Sequence, residues 1–203
     1  MKFVIFDLFG TIIKEGYPVR KDLLKLLEKE IGKEIKFEDF EDYYILYITG
    51  RFTIEKFLEK FNIESNKINS IKEKFFNLFH LDENFKEIYD YLKQNKYVIV
   101  LLSNAPKDLW EFLENKFELN GKFYTTIMSY DWKYMKPDTM IYMAAIKYVG
   151  IESEVAMIDD QLENLETAFQ FNWKTIWIKR EEQESEFKPD FIINSLNELK
   201  NIL

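Results

Sequence analysis

Short apolar runs alternate with segments of helical spacing from residue 82 onward, and this alternation limits the possible folds more than any other feature. Runs typical of strands cover residues 97–102, 123–128, 155–158, 175–178 and 191–193. Apolar residues recur with helical spacing over residues 85–95, 107–117, 139–149 and 162–171, and from residue 196. Repeated strand and helix units of this length imply right-handed crossovers and a parallel sheet with helices on both faces. We therefore predict an α/β fold with a Rossmann-like core.

The first strand is separated from this pattern by a helical block. Residues 2–6 form an apolar run that ends at Asp7 and is followed by Gly10 and Thr11, as expected for a buried strand that stops at a turn. Between residues 19 and 80, four groups of apolar residues recur at helical spacing. We predict an inserted α-helical cap domain over residues 15–81, with the core formed by residues 1–14 and 82–203.

Composition excludes several classes of protein. The sequence has 28 Lys and Arg against 36 Asp and Glu, and no strongly basic window, which disfavours a nucleic-acid partner. It has no cysteine and one histidine, His80, which excludes disulfides, thiol nucleophiles and multi-histidine metal sites. No apolar run approaches the roughly 20 residues of a membrane helix, and no targeting segment is recognisable. We expect a cytoplasmic protein, a monomer or homodimer, whose chemistry uses carboxylates and lysines.

Polar residues follow the ends of the predicted strands, where ligands bind in open α/β sheets. They are Asp7 after the first strand, Ser103 and Asn104 after the second, Lys136 after the third, and Asp159, Asp160 and Asn164 after the fourth. Adjacent carboxylates repel each other unless a cation lies between them or one is neutral. The oxygen-rich set predicts a site for a hard cation such as Mg²⁺, with Lys136 balancing the remaining charge.

Each of these residues also has a purely local interpretation. Asp160 alone could be the N-cap of the next helix, with Glu163 completing a capping box. Ser103 and Asn104 could form only the turn before a helix, and Asp7 alone could be a surface turn residue. The ordered set, rather than any one member, favours a functional site.

Four motifs in this order make nearly the whole chain resemble the haloacid dehalogenase (HAD) superfamily. They are the strand ending Asp7-Leu8-Phe9-Gly10-Thr11, the strand ending at Ser103, the segment Lys136-Pro137-Asp138, and Asp159-Asp160 with Asn164. The inserted helical block is similar to that of subfamily I, whose cap interrupts the chain after the first strand.

The resemblance implies a role for each matching residue. Asp7 would be the nucleophile that forms an aspartyl-phosphate, with Ser103 and Lys136 holding the phosphoryl oxygens. Mg²⁺ would be held by Asp7, the backbone carbonyl of Phe9 and Asp160, with Asp159 acting through bound water. Thr11 and Asn104 would support phosphate binding, and Asn164 would orient the acidic pair.

One position departs from the phosphatase pattern. Family phosphatases have an aspartate acid–base residue where this chain has Phe9, and such a group contributes roughly 10² to 10⁴-fold in rate. An aromatic residue there also resembles the family's 2-haloacid dehalogenases, whose halide leaves without a proton. Those enzymes lack a carboxylate at the position of Asp160, work without metal and need an arginine behind the nucleophile. Neither Arg20 nor Arg51 stands where that arginine is expected.

We therefore predict a Mg²⁺-dependent hydrolase of the phosphatase type, acting on a small phosphorylated metabolite. The alternatives are a 2-haloacid dehalogenase-like hydrolase and a non-catalytic relative. Arg51, which follows Gly50 at a helix end, is either a phosphate or carboxylate clamp or a surface arginine. The stripe of Tyr43, Tyr44 and Tyr47 is more typical of core packing than of a substrate site.

Overall fold

The computed structural model describes residues 1–16 and 19–203 of the chain. Six parallel strands form one sheet in the order β3-β2-β1-β4-β5-β6. The strands are β1 Lys2–Phe6, β2 Val98–Ser103, β3 Thr125–Met128, β4 Glu154–Asp159, β5 Lys174–Ile178 and β6 Phe191–Ile193. The parallel sheet with its connecting helices confirms the predicted α/β, Rossmann-like core.

The central strand β1 is apolar throughout because both faces of the sheet are covered. Val4 and Phe6 belong to one hydrophobic cluster, whereas Phe3 and Ile5 belong to a second cluster. Successive side chains of a strand point to opposite faces, so the two clusters lie on opposite sides of the sheet. A strand of this kind reads as a continuous apolar run, which is why its position was predictable.

Nine α-helices are present in the described part of the chain. Five follow β1 and precede β2 in the chain, and the first four of them are α1 Val19–Ile31, α2 Phe37–Ile48, α3 Ile54–Glu59 and α4 Ser65–Phe76. The others are α5 Phe85–Gln94, α6 Lys107–Lys116, α7 Ser129–Trp132, α8 Thr139–Val149 and α9 Leu162–Gln170. Helices α1 to α4 occupy the region where the sequence predicts four helices. The division into core and cap stays a prediction, and residues 17 and 18 of the predicted cap lie outside the described residues.

Local structure differs from the sequence prediction in two places. The single-turn helix α7 was not predicted, because four residues are too few to show a helical period. The last helix is a 3₁₀ helix, Leu196–Asn201, with hydrogen bonds between residues three apart, such as Glu198 N to Ser195 O. Within the residues described, no helix combines the length and the apolar character needed to cross a membrane.

Candidate active site

The topology of the sheet brings the ends of β1, β2 and β4 side by side. Strand β1 lies between β2 and β4, and Phe6 pairs with Leu101 on one side and Ile158 on the other. Asp7 therefore leaves the sheet beside Asp159, although the two are far apart in sequence. The carboxyl ends of parallel strands meet at one edge, which is where the predicted site was expected.

Three buried carboxylates and one buried lysine form the centre of this edge. Asp7, Asp159 and Asp160 each offer a carboxylate oxygen, and these oxygens lie within 4.8 Å of one another. Nζ of Lys136 lies 2.7 Å from Oδ1 of Asp7 and 2.6 Å from Oδ2 of Asp159. Residues from three separate motifs of the sequence thus share one cluster.

The charge of this cluster is unbalanced when all its groups are ionised, because three carboxylates face one ammonium. Burial raises the pKa of Asp7 to about 7 and raises the pKa of Asp160 well above its ordinary value. Burial opposes the charge on Lys136, but the nearby carboxylates of Asp159 and Asp7 outweigh it and raise the lysine pKa. A divalent cation would supply the missing positive charge, and an all-oxygen donor set fits a hard ion such as Mg²⁺.

Two glycines allow the chain to pack directly against the Asp160 carboxylate. A Cβ atom on Gly10 would overlap Oδ2 of Asp160, and a Cβ on Gly16 would lie 2.7 Å from the same atom. Gly10 also has a φ of +76°, which L residues with side chains rarely adopt. We call residues 7–13, which include Gly10, the Asp7 loop; its approach to Asp160 depends on glycine.

Protein donors fix the orientation of Asp159. Its Oδ1 accepts hydrogen bonds from the Asn164 side chain at 3.0 Å and from the Gln161 amide at 2.8 Å, while its Oδ2 accepts from Lys136. Gln161 occupies the N-cap position of α9, so the interpretation of Asp160 as a helix cap is wrong. The sequence predicts that Asn164 orients the acidic pair Asp159 and Asp160. In the structure its side chain contacts Asp159 rather than Asp160.

The hydroxyls of Ser103 and Thr11 are buried, and neither has a hydrogen-bond partner within the described chain. Buried hydroxyls without partners are uncommon in folded proteins. Asn104 differs, because its side chain donates to the Lys136 carbonyl at 2.9 Å and accepts from the Lys136 amide at 2.7 Å. Both ends of this side chain are therefore used to hold the backbone of Lys136.

A cleft of about 210 Å³ opens beside the acidic cluster. Its apolar walls are formed by Phe9, Tyr44, Ile45, Ile48, Phe79, Leu109 and Met135. The ring of Phe9 packs against that of Phe79 with their centroids 5.3 Å apart. The volume suits a small substrate. Phe9, which stands where phosphatases of the family that the sequence resembles have an acid–base aspartate, forms part of an aromatic wall.

Arg51 lies outside this cleft, which corrects the prediction of a phosphate or carboxylate clamp. Its guanidinium donates to the Thr49 hydroxyl at 2.8 Å and to the Lys133 carbonyl at 2.9 Å. These contacts hold the side chain against the connection that follows α7. His80 is also outside the cleft, where its exposed ring lies 2.9 Å from the Glu15 carboxylate.

Arg20 lines the cleft instead, although its position in the sequence did not suggest this. Its guanidinium pairs with the Glu41 carboxylate at 2.7 Å and lies over the ring of Phe37. Tyr44, one turn after Glu41 on α2, lines the same cleft, whereas Tyr47 is buried against Phe57. One sequence feature could have predicted that Arg20 lies near the active site. Arg20 is in the first turn of α1, the helix that follows the Asp7 loop.

A family model described as haloacid dehalogenase-like hydrolase matches residues 1–172. The chain belongs to this family. Among curated HAD proteins, the (S)-2-haloacid dehalogenase 4A of Burkholderia cepacia is 29% identical over 121 residues. That match covers 58% of this chain and 52% of the relative, so the chain spans about half the length of the protein it matches.

Solved structures of HAD phosphatases and of HAD dehalogenases share this fold. The HAD phosphatase from Thermococcus onnurineus matches with a TM-score of 0.71 and 22% identity, covering 100% of this chain and 97% of that chain. The HAD hydrolase YfnB from Bacillus subtilis, bound to magnesium, matches with a TM-score of 0.67 and 16% identity, covering 99% and 97%. Structures of L-2-haloacid dehalogenases also match, with TM-scores from 0.67 to 0.71. At these identities the likeness shows the fold alone.

Proposed function

We propose that this HAD hydrolase is a Mg²⁺-dependent phosphatase that forms an aspartyl-phosphate on Asp7. The observation that carries the proposal is the buried Asp160 carboxylate, which has an oxygen within 4.8 Å of both Asp7 and Asp159. One lysine does not balance three ionised carboxylates, and a bound divalent cation would let all three stay ionised near neutral pH. The dehalogenase reaction needs no such cation, so it does not account for the Asp160 carboxylate.

The residues at the strand ends divide the work of phosphoryl transfer. Oδ1 of Asp7 accepts from Lys136, which leaves Oδ2 to attack phosphorus as the bond to the leaving oxygen breaks. The free hydroxyls of Ser103 and Thr11 would donate to phosphoryl oxygens, and Asn104 keeps Lys136 in place. Water then attacks the phosphorus of the aspartyl-phosphate, releasing phosphate and restoring the Asp7 carboxylate.

Mg²⁺ would be held by the carboxylates of Asp7 and Asp160 and the carbonyl of Phe9, with Asp159 acting through water. When bound, it would cancel the repulsion between the anionic nucleophile and the anionic phosphate. The magnesium bound by the Bacillus subtilis relative supports this choice of ion. The chain's own oxygen donors, buried and preorganised by Asn164 and the two glycines, support it independently.

The substrate class follows from the Phe9 side chain. Phe9 cannot give a proton to the leaving oxygen, so a leaving group that is stable as an anion is favoured over an alkoxide. Aryl and acyl phosphates have such leaving groups. Phe9 and Phe79 also offer an apolar surface beside Asp7, so we propose a small phosphate ester or anhydride with an apolar body.

A 2-haloacid dehalogenase activity is the second candidate, and Arg20 is the observation that favours it. A guanidinium in the cleft is suited to binding a substrate carboxylate, and the curated relative is itself a 2-haloacid dehalogenase. In this reaction Asp7 would displace halide from carbon, forming an ester that water hydrolyses. Arg20 already pairs with Glu41, so a substrate carboxylate would have to share or displace that partner.

One set of assays separates these functions. Phosphate release from 4-nitrophenyl phosphate and halide release from 2-chloropropionate are measured with added Mg²⁺ and with EDTA. We expect phosphate release that needs Mg²⁺, is abolished in Asp7→Asn and is lost in Asp160→Asn. The exposed Asp90→Asn, which removes the same charge on α5, serves as the matched control.

Halide release that persists in EDTA and in Asp160→Asn would instead establish the dehalogenase. Release of neither product, with Mg²⁺ present and across a panel of phosphate esters and anhydrides, would favour the non-catalytic relative.

A further inference from the structure

An arginine from the far part of the chain holds the loop that carries Asp7. Arg180 follows β5 by two residues, and its Nε donates to the Gly10 carbonyl at 2.8 Å. One terminal nitrogen of the same guanidinium, Nη2, lies 3.3 Å from the Thr11 carbonyl. Two successive carbonyls of the Asp7 loop are thus bound by one side chain that is about 170 residues away in sequence.

Asp82 fixes this arginine and contacts the same loop. Its Oδ2 lies 2.7 Å from Nη2 of Arg180, and its side chain is only 4% exposed. The backbone amide of Asp82 donates to the Ile12 carbonyl at 2.8 Å. Three consecutive carbonyls, at residues 10, 11 and 12, are therefore held by the Arg180 side chain and the Asp82 backbone amide.

The other side of the loop is packed against Asp160. Gly10 touches the Asp160 carboxylate so closely that no side chain fits at this position. Arg180 binds the carbonyl of the same glycine. The loop is consequently confined between Asp160 and Arg180, and a displacement of about an ångström would change the spacing between Asp7 and Asp160.

We infer that Arg180, oriented by Asp82, is a positioning residue that holds the Asp7 loop against Asp160 and so sets the separation of the Asp7 and Asp160 carboxylates. The inference rests on the proposed function, in which those two groups share one ion. Arginine suits the task because its planar fork reaches three acceptors at once, whereas lysine presents a single compact charge.

The test compares Arg180→Lys and Arg180→Gln with the unaltered protein. Lys179→Gln is the matched control, because it removes the same charge from the neighbouring residue, which pairs with Glu182 and not with the Asp7 loop. Hydrogen exchange of the peptide covering residues 7–16 is measured without substrate. Steady-state kinetics with 4-nitrophenyl phosphate and Mg²⁺ give kcat and KM separately.

We expect exchange in residues 7–16 to become at least about tenfold faster in Arg180→Lys, with exchange in β1 and β2 unchanged. We expect kcat to fall by about 10 to 100-fold while KM changes by less than about threefold, since misplacement of reacting groups acts on the chemical step. Lys179→Gln should resemble the unaltered protein in both measurements. If the Arg180 variants do not fold, Asp82→Asn, which removes the charge that orients the arginine, is measured instead.

Unchanged exchange in residues 7–16 of Arg180→Lys would overturn the inference, as would equal effects in Lys179→Gln. Loop loosening with an unchanged kcat would overturn it too, because the loop position would then not matter for the reaction. If the unaltered protein releases no phosphate from any ester, the proposed function fails, and with it the shared ion on which the inference depends. Exchange would then still report whether Arg180 holds the loop.

Discussion

Nζ of Lys136 lies 2.7 Å from Oδ1 of Asp7, and both side chains are buried. The same ammonium contacts Asp159, so it offsets two carboxylates at once. Removing one partner of a buried ion pair leaves an uncompensated charge, which is far more costly than losing an exposed pair. Lys136 thus contributes both to the stability of this edge of the sheet and to the state of Asp7.

The first prediction concerns Lys136→Met. We expect loss of phosphatase activity and destabilisation of the fold by about 3 to 5 kcal/mol near neutral pH. The loss of stability should be smaller at about pH 5, because protonation of the carboxyls removes the unpaired charge. Urea unfolding at the two pH values measures this. Lys147→Met, on the exposed side of α8, is the control, and equal destabilisation of the two variants would contradict the prediction.

The second prediction concerns Mg²⁺ and pH. Burial raises the pKa of Asp7 from 3.8 to about 7, so the protonated carboxyl favours the folded state. This contribution to stability is complete below the unfolded pKa and is lost as the pH rises through about 7. Mg²⁺ binds the ionised group and competes with the proton. We expect Mg²⁺ to raise Tm more at about pH 8 than at about pH 5.5.

Thermal unfolding with Mg²⁺ and with EDTA across this range measures the effect. Asp160→Asn should reduce the Mg²⁺-dependent rise in Tm. A rise that does not depend on pH, or that is the same in Asp160→Asn, would show that the ion binds elsewhere.

The third prediction concerns the missing acid. Phe9→Asp places a carboxyl where family phosphatases have one, and we expect turnover of alkyl phosphates to rise by at least about tenfold. Turnover of 4-nitrophenyl phosphate should change less, because its leaving group needs no proton. Phe9→Asn is the matched control, since it removes the same contact with Phe79 without adding an acid. Equal rates for the Asp and Asn variants, both folded by circular dichroism, would contradict the acid-loss explanation.

The acidic centre was predictable from the sequence because each member stands at the end of an apolar run. Asp7 directly follows β1 and Asp159 is the last residue of β4, and a parallel sheet places such strand ends side by side. The family motifs then named the residues. The sequence could not show that the Asp160 carboxylate lies close to those of Asp7 and Asp159 and packs against Gly10 and Gly16. These contacts depend on the positions of single atoms.

The arginines show why the rest was missed. Arg51 follows a helix end, and from the sequence it could reach the active site. In the structure its guanidinium donates a hydrogen bond to the Lys133 carbonyl instead. Arg20 was judged by its distance in sequence from Asp7, whereas its place in the cleft depends on the direction of α1. Arg180 lies in a charged stretch after β5, and its partners Gly10 and Asp82 are distant in sequence, so only the tertiary structure connects them.

The last prediction concerns the apolar wall of the cleft and the nature of the leaving group. Met135→Gln keeps nearly the same shape but adds a side-chain amide to the wall. The aromatic ring of a bound substrate cannot hydrogen-bond to this amide, and burying an unsatisfied amide weakens binding by about 1 to 3 kcal/mol. We expect kcat/KM for 4-nitrophenyl phosphate to fall about tenfold or more, whereas acetyl phosphate, which is too small to cover the wall, should lose less than about twofold. Met143→Gln, an exposed position of α8, is the matched control. Equal losses for the two substrates would mean that Met135 acts through the adjacent Lys136 rather than by contact with the leaving group.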